Sequence, residues 1–471
     1  GPWRERVERS RWWVAAYGLA SFLLAALPVL AVTAGAGVVL ALAGVPETYG
    51  AAWRMLAWAP VGVLAGYLAL ALALLLLVRL AGLVIAPGVH PVRSLGGLAV
   101  CGTMRALDDA RTWLFPLYSS LLTPLWLRAL GARIGRHVEA STALMIPSLT
   151  QVNDEAFLAD DTLIGGYELG GGWVRVERVK IGKRAFVGNS GMAAPGRKVP
   201  KASLVAVLSA VPRRKKAHAG QSWLGSPPAP LRRTAEAQDA ARTYAPPTRL
   251  LVARALIELC RLVPAGLGVA LYAAAALALL ALADVSAWWV ALLLGGPVLA
   301  VAGAVAAAIA VGAKWLLIGR VRPGGHPLWS SFVWRNELAD TFVEVLAAPW
   351  FARSAAGGPL LTLWLRAMGA SVGRGVWCES HWLPETDLVV LGDGATVNVG
   401  TVVQTHLFHD RLLSLDTVTL RRGATLGPNS VVLPAATLGR HVTVGPVSLV
   451  MRGEVLPDKT SWIGNPIGPW A

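Results

Sequence analysis

The aliphatic residues between Leu391 and Met451 recur at every sixth position, and this period constrains the fold more than any other feature of the chain. The residues on the period are Leu391, Val397, Val403, Leu420, Leu426, Val432, Leu438, Val444 and Val450. An α-helix would give a period of about 3.6, and an ordinary strand a period of about 2. A period of six predicts a parallel β-helix with triangular coils, in which each inward aliphatic residue stacks on its equivalents in neighbouring coils.

The period is interrupted between Val403 and Leu420. The segment from Gln404 to Arg411 lies in this interruption and reads Gln-Thr-His-Leu-Phe-His-Asp-Arg. A segment that leaves the coil need not stack on other coils, so it is free to carry polar and reactive side chains. We therefore expect a functional site here.

An earlier copy of the same pattern lies about 239 residues towards the N-terminus. Leu125–Ala132 returns as Leu363–Ala370, and Ser222–Pro227 returns as Ser461–Pro466. The period itself returns at Val152, Leu158, Ile164, Ile181, Val187, Ala193, Val199, Val205 and Val211. The chain is therefore predicted to be a tandem duplication with a β-helix domain in each half.

The composition adds membrane segments to this fold. Hydrophobic residues make up 55% of the chain and charged residues only 15%, which is too apolar for an ordinary soluble protein. Four apolar runs approach or exceed the roughly 20 residues that cross a bilayer, at about 12–43, 55–85, 264–283 and 288–318. The stretch 249–262 reads either as an amphipathic helix at the membrane surface or as an extension of the following membrane helix.

Seven segments follow from the duplication. They are a transmembrane hairpin at 1–86, a juxtamembrane helical connector at 87–131, β-helix domain 1 at 132–230, a linker at 231–248, a second transmembrane hairpin at 249–320, a second connector at 321–369, and β-helix domain 2 at 370–471. Basic residues flank the apolar runs at Arg4, Arg6, Arg9, Arg11, Lys314, Arg320 and Arg322. The positive-inside rule then predicts a multi-pass protein of the cell membrane with both β-helix domains in the cytoplasm.

The net charge of +16 does not indicate a nucleic-acid partner. The chain has no nucleic-acid motif, and membrane proteins collect Lys and Arg on their cytoplasmic side. Cys101, Cys260 and Cys378 are far apart and lack zinc-ligand spacing, so they are predicted to be buried thiols in a reducing compartment. No metal site is predicted, because His406 and His409 have no further ligands at a suitable spacing.

Both β-helix domains resemble the hexapeptide-repeat proteins, most of which are acyltransferases. The resemblance implies a left-handed coil, so the predicted fold class is a membrane protein with α-helical transmembrane hairpins and two left-handed parallel β-helix domains in tandem duplication. In that superfamily a histidine on a loop leaving the coil deprotonates an amine or hydroxyl, which then attacks a thioester. A base is needed because an alkyl amine near neutral pH is almost wholly ammonium and has no lone pair to donate.

His406 is the predicted base. His409 is the second candidate, and Asp410 is predicted to orient one of the two imidazoles. The alternative is that both histidines only solvate a turn. In the first copy Tyr167 takes the place of His406, so domain 1 is predicted to be catalytically silent.

Further polar residues of domain 2 are predicted to hold a cationic substrate. They are Glu379, Glu385, Asp387, Asp393 and Gln404. His381, which stands among three of these acids in the sequence, is predicted to be structural.

The order hairpin, β-helix, hairpin, β-helix, together with Gln404–Arg411 and Gly464–Pro466, resembles the membrane-embedded C-terminal part of the ε-poly-L-lysine synthetase family. These are single-module nonribosomal peptide synthetases in which adenylation and carrier domains precede six membrane helices and three tandem acyltransferase-like domains. This chain has two such domains and four helices. The resemblance implies that free lysine or another diamino acid attacks an aminoacyl thioester held on the carrier's phosphopantetheine arm.

No cofactor is predicted in the chain itself, because it lacks a phosphate loop and an adenylation core motif. ATP and Mg²⁺ would serve only an adenylation domain that, with the carrier, acts in cis or in trans. The other predicted partners are membrane lipid and further copies of the chain, since hexapeptide acyltransferases are usually trimers. Two alternative functions stay open: a membrane-anchored acyltransferase that uses acyl-CoA, and a non-catalytic scaffold or export unit.

Overall fold

The computed structural model describes residues 10–45, 48, 55–213, 216–232 and 239–470. Arg4, Arg6 and Arg9, on which the predicted orientation partly rests, and residues 233–238 of the predicted linker lie outside this range. The chain divides into two compact units. The first unit comprises Gly1–Gly44 and Pro60–Thr234, and the second comprises Val45–Ala59 and Ala235–Ala471.

Apolar composition makes the longest elements helical. The first unit contains α1 (Trp12–Ala43), α2 (Ala59–Val84), α3 (Leu95–Trp113) and α4 (Thr123–Ala129). The second contains α5 (Ala240–Thr243), α6 (Thr248–Leu259), α7 (Leu262–Val285), α8 (Trp288–Leu317), α9 (Ser331–Thr341), a π-helix (Phe342–Ala352) and α10 (Pro359–Met368).

Within the described residues, four helical stretches are long and apolar enough to cross a membrane. They are Trp12–Ala43, Leu56–Val84, Ala240–Val285 and Trp288–Leu317, with mean hydropathies of 2.3, 2.7, 2.2 and 2.2. All four predicted apolar runs are thus helical. The third stretch is divided at residues 244–247 and again at Cys260 and Arg261, so the predicted lead-in 249–262 largely forms a helix of its own, α6.

The strands of the second unit are short because each forms one face of a coil. They are β17 (Gly324–Pro327), β18 (Ser371–Val372), β19 (Trp377–Cys378), β20 (Val389–Leu391), β21 (Thr396–Val397), β22 (Val402–Val403), β23 (His406–His409), β24 (Leu412–Leu415), β25 (Val418–Leu420), β26 (Thr425–Leu426), β27 (Val431–Val432), β28 (Thr437–Leu438), β29 (Thr443–Val444), β30 (Leu449–Val450), β31 (Val455–Leu456), β32 (Ser461–Ile463) and β33 (Gly468–Pro469).

Three parallel sheets form the three faces of this coil. Their orders are β18-β20-β25-β28-β31, β19-β21-β26-β29-β32 and β22-β27-β30. In register, Leu420 pairs with Leu438 and Leu438 with Leu456, so one coil takes three hexads. The residues on the six-residue period are almost completely buried and form one continuous core. The predicted triangular parallel coil is therefore observed.

Residues at the corners of the coil, between the period positions, have a left-handed backbone conformation. Asn429, Ala435, His441, Val447 and Lys459 all have φ between 52 and 63°, a left-handed conformation that turns the backbone from one face to the next. His441 is exposed at such a corner.

The first unit repeats this arrangement. Its strands are β1 (Gly88–Pro91), β2 (Arg133–Ile134), β3 (Glu139–Ala140), β4 (Leu144–Met145), β5 (Thr150–Val152), β6 (Phe157–Leu158), β7 (Leu163–Ile164), β8 (Glu168–Gly170), β9 (Trp173–Val176), β10 (Val179–Ile181), β11 (Phe186–Val187), β12 (Met192–Ala193), β13 (Lys198–Val199), β14 (Leu204–Val205), β15 (Ser222–Leu224) and β16 (Ala229–Pro230). Parallel sheets β13-β10-β5-β2, β14-β11-β6-β3 and β12-β7-β4 form its faces. The duplication seen in the sequence is thus a duplication of fold.

The prediction for the cysteines is wrong at one position. Cys378 is buried in the coil, and burial raises its pKa to about 11. Cys101 is half-buried, whereas Cys260 is exposed. Cys260 directly follows α6 at the C-terminal end of that helix.

Candidate active site

The segment that interrupts the period forms a β-hairpin. β23 and β24 pair antiparallel, and β24 also pairs with β17, which makes a three-stranded sheet beside the coil. Asp410 and Arg411 form the two-residue turn, with φ of 49° and 63°. Two successive left-handed residues match the twist of antiparallel strands, which is why such turns close tight hairpins. The predicted departure from the coil is therefore observed, and it carries both histidines.

His406 contacts a buried carboxylate. Its Nδ1 atom lies 2.9 Å from Oε1 and 2.8 Å from Oε2 of Glu385. The Glu385 side chain is 0% exposed, whereas that of His406 is 19% exposed. The imidazole is thus held from inside the protein while part of it still reaches the surface.

Two further donors hold the Glu385 carboxylate in place. Asn336 Nδ2 donates to Oε1 at 2.6 Å, and Thr405 Oγ1 donates to Oε2 at 2.6 Å. Asn336 lies on α9, and Thr405 directly precedes the hairpin. The Thr405 hydroxyl also lies 2.6 Å from the Pro384 carbonyl, and its single proton serves both acceptors. Both oxygens of the buried carboxylate thus have a polar partner in addition to His406.

The backbone of Glu385 is also unusual. Its φ is 39° and its ψ 61°, a left-handed conformation that costs a non-glycine residue roughly 1–3 kcal/mol. The conformation turns the chain into the short 3-10 helix Thr386–Leu388 and directs the carboxylate towards His406. Such strain is maintained because the surrounding hydrogen bonds stabilise this one arrangement.

The electrostatics of the pair keep the carboxylate ionised. Burial by itself raises the pKa of Glu385. The positive charge that the His406 imidazole carries when it is protonated, together with the hydrogen bonds that the carboxylate accepts, outweighs the effect of burial. The pKa of Glu385 therefore lies below its ordinary value. An ionised carboxylate beside Nδ1 favours the tautomer in which Nδ1 carries the proton, and the basic lone pair then belongs to Nε2. This is the arrangement of an oriented general base.

His406 and His409 lie on opposite faces of the hairpin. Side chains alternate along a strand, so residues three positions apart point in opposite directions. His406 faces Glu385, whereas His409 Nε2 lies 3.6 Å from Asp410 Oδ2. The carboxylate beside His406 is therefore Glu385, and Asp410, predicted to orient either imidazole, lies beside His409.

The other predicted substrate-binding residues have partners within the second unit. Glu379 Oε2 accepts from the Val399 amide at 3.1 Å, and Asp393 Oδ1 accepts from the Arg374 amide at 2.7 Å. Both carboxylates thus cap backbone amides at turns of the coil. Gln404 is buried, and its backbone amide donates to a neighbouring coil.

Asp387 forms a buried ion pair. Its Oδ2 lies 2.7 Å from Lys314 Nζ near the end of α8 and accepts from the Val321 amide at 3.1 Å. His381 Nε2 lies 3.4 Å from Oε1 of Glu344 on the π-helix. Of the five predicted substrate-binding residues, Glu385 is the one whose side chain forms the hydrogen bond to His406 described above. The predicted role of the others in binding a cationic substrate stays a prediction.

Asn336 was missed by the sequence analysis, although a comparison of the two copies could have found it. The counterparts of Asn336, Glu385 and Thr405 are Val100, Ile146 and Gly166. Tyr167 stands in place of His406. The first copy therefore differs from the second at His406, at Glu385 and at both residues that donate to Glu385. The signal is a coordinated loss of polar residues at positions that are distant in the sequence.

The first unit keeps the hairpin while losing this network. β8, β9 and β1 form the same three-stranded antiparallel sheet as β23, β24 and β17. An apolar cluster occupies the interior beside it, formed by Ile85, Val100, Met104, Ile146, Leu149, Val174 and Val176. This hairpin has Tyr167 in place of the imidazole and Ile146 in place of its carboxylate. That domain 1 is catalytically silent stays a prediction.

Among the described residues, no group of three or more His, Cys, Asp or Glu side chains could hold a metal ion. An imidazole whose Nδ1 atom is held by a buried carboxylate has the composition of an acid–base site.

The six-residue coils of both units define the chain as a hexapeptide-repeat protein. No protein-family model matches it. The chain is 33% identical over 371 residues to the delta-poly-L-ornithine synthetase of Acinetobacter baumannii (strain AB307-0294), in an alignment that covers 77% of this chain. This match confirms the resemblance to the homopolyamino-acid synthetases. The chain covers 28% of the length of that relative.

Solved structures with similar coils include two bacterial enzymes. A hexapeptide-repeat containing acetyltransferase from Vibrio cholerae is 16% identical, with 24% of this chain and 78% of that chain covered and a TM-score of 0.21. The serine acetyltransferase of Neisseria gonorrhoeae is 14% identical, with 35% and 79% covered and a TM-score of 0.20. At these TM-scores the two matches carry no weight for the function.

Proposed function

We propose that this chain is the condensing region of a membrane-bound nonribosomal peptide synthetase that makes a cationic homopolyamino acid such as poly-lysine or poly-ornithine. The observation that carries the proposal is the His406–Glu385 pair on the hairpin that leaves the coil. The similarity to a poly-ornithine synthetase supplies the substrate class, a diamino acid. Both β-helices are left-handed, four helices cross the cell membrane, and the coils face the cytoplasm.

The reaction is an aminoacyl transfer. His406 Nε2 accepts a proton from the side-chain ammonium of the diamino acid, which frees the nitrogen lone pair. The amine attacks the thioester carbonyl, a C–N bond forms and the C–S bond breaks, and the second proton that the attacking nitrogen loses passes to solvent. His406 returns the proton to the departing thiolate, and Glu385 stabilises the imidazolium in between. A positioned base of this kind contributes about 10²–10⁴-fold to the rate.

The proposal includes partners outside the chain. The thioester is carried on the phosphopantetheine arm of a carrier domain, and an adenylation domain that uses ATP and Mg²⁺ charges it, in cis or in trans. Membrane lipid surrounds the apolar helices. Further copies of the chain assemble around it, as in other hexapeptide-repeat proteins.

One experiment tests the assignment of the reaction. The full synthetase with His406→Ala is supplied with ATP and either lysine or ornithine, and carrier thioester and polymer are measured separately. We expect the thioester to form normally and the polymer to be absent. Polymer formation at the normal rate would show that His406 is not the base.

The identity of the acyl donor distinguishes this function from the first alternative, an acyltransferase that uses acyl-CoA. A membrane-anchored acyltransferase would accept an aminoacyl-CoA as readily as the charged carrier, and its rate would not respond to added carrier. Our proposal predicts turnover only with the carrier thioester. A scaffold or export unit would move finished polymer across membrane vesicles without any transfer step.

A further inference from the structure

Arg411 occupies a position in the hairpin turn where glycine would be the less strained choice. Its φ of 63° is left-handed, and this conformation costs an L-residue roughly 1–2 kcal/mol that glycine does not incur. Nevertheless the side chain is 2% exposed. The contacts of this long, charged and buried side chain must therefore offset the cost of the left-handed backbone.

Those contacts reach the segment that joins the two repeats. Arg411 Nη1 donates to the Thr243 carbonyl at 3.1 Å, and the guanidinium lies 4.7 Å from the centre of the Tyr244 ring. Trp329 Nε1 donates to the same carbonyl at 3.1 Å. Thr243 is the last residue of α5, within the segment predicted as a linker. Thr243 and Tyr244 of this segment therefore lie against the hairpin turn.

The first unit provides an internal comparison. Gly171 and Gly172 form the equivalent turn, with φ of 57° and 86°. The Val92 amide donates to the Gly172 carbonyl at 2.9 Å, as the Leu328 amide donates to the Arg411 carbonyl at 2.9 Å. The backbone of the hairpin is thus the same in both units. An arginine is not needed to form the turn, and only the hairpin with His406 has one.

We infer that Arg411 is a positioning residue, which clamps the tip of the catalytic hairpin onto Thr243 and Tyr244 and so keeps His406 against Glu385. The inference rests on the proposed function for its effect on catalysis. His406 and Arg411 lie at opposite ends of one short strand and its turn, so movement at the tip is transmitted to the imidazole. Displacing a catalytic group by about 1 Å is enough to lower a rate by up to 10²-fold.

The test uses Arg411→Gly, which reproduces the turn of the first unit, and Tyr244→Ala, which removes the stacked ring and leaves Arg411 in place. Both are made in the full synthetase. We expect kcat to fall about tenfold or more with little change in KM for the diamino acid. Arg411→Lys keeps the charge but not the planar guanidinium and should recover only part of the loss.

A second readout is independent of turnover. Modification of His406 by diethyl pyrocarbonate is followed by peptide mass spectrometry, with the exposed His441 as the internal reference. Release of the hairpin tip should raise the modification rate of His406 about threefold or more relative to His441.

The inference is overturned if both variants modify His406 at the wild-type rate and keep full kcat. It is also overturned if Arg411→Gly lowers the unfolding temperature of the whole domain while Tyr244→Ala changes nothing, since Arg411 would then be only structural. If His406→Ala retained full activity, the proposed function would fail, and the modification rates would still decide whether Arg411 holds the hairpin.

Discussion

Both oxygens of the buried Glu385 carboxylate lie within 2.9 Å of His406 Nδ1, although 21 residues separate the two in the chain. The coil makes this contact possible, because the strand entering the hairpin follows the loop of Glu385 by about one turn of the β-helix. An imidazole that receives such a partner has one tautomer and one orientation.

Replacing Glu385 by Gln should lower kcat by about 10- to 100-fold, which does not exceed the ~10²–10⁴-fold that a positioned base contributes in total. The Gln amide can donate to Nδ1 and would favour the tautomer in which Nε2 carries the proton, so the basic lone pair is misplaced. Single-turnover transfer from the charged carrier measures the effect. Asp458→Asn is the matched control, because Asp458 caps the Arg440 amide at a corner of the same coil, and it should leave the rate unchanged.

The lowered pKa of Glu385 predicts how stability depends on pH. The carboxyl binds a proton more tightly in the unfolded chain, where its pKa is about 4.3, than in the folded protein. Its stabilising contribution is therefore complete above that pH and is lost as the pH falls through the lower folded pKa.

Unfolding temperatures of detergent-solubilised wild type and Glu385→Gln from pH 3.5 to 7 check this dependence. The wild type should be the more stable protein near neutral pH, and the difference should shrink below about pH 4.3. A constant difference across the range would contradict the ionised state of Glu385.

Tyr167→Ala should leave polymer formation unchanged, because the first unit surrounds this hairpin with an apolar cluster and has no carboxylate at the position of Glu385. Polymer yield and length, measured beside His406→Ala, provide the comparison. A loss similar to that of His406→Ala would mean that domain 1 takes part in the reaction.

Gly303 lets α8 lie directly against the π-helix. A Cβ atom at this position would be 2.6 Å from the Trp350 carbonyl, whereas a Cβ at Gly312 on the same helix would meet nothing within 4 Å. Gly303→Ala should therefore lower the free energy of unfolding by about 1–3 kcal/mol. Gly312→Ala should be neutral or raise it by up to roughly 1 kcal/mol. The unfolding temperatures of the two variants are measured in the same detergent. Equal unfolding temperatures would contradict this packing.

The coil was predictable from residues such as Leu420, Leu426 and Leu438, because a side chain that stacks on its equivalents in neighbouring coils has to be aliphatic. The interruption of the period that begins at Gln404 located the hairpin, because a segment that leaves the coil need not keep the aliphatic residue at every sixth position. The apolar helices followed from composition alone. These features depend on local pattern, which a sequence displays directly.

The partner of His406 was not predictable in the same way. Glu385 was one of several acids with equal standing in the sequence, and only the fold of the loop between the coil faces distinguishes it from Asp387. Asn336 reaches the site from a helix 49 residues earlier in the chain than Glu385. The separation of His406 from His409 needed one further step, the recognition that the interruption is itself a strand with a period of two.

The most direct test of the account compares His406→Ala with His409→Ala in the full synthetase. The carrier is charged with lysine or ornithine, excess diamino acid is added, and formation of the first amide bond is followed in a single turnover. We expect His406→Ala to slow the transfer by about 10²–10⁴-fold and His409→Ala, on the opposite face of the hairpin, to remain within a few-fold of the wild type. Equal rates for wild type and His406→Ala, or a larger loss in His409→Ala, would contradict the assignment of His406 as the base.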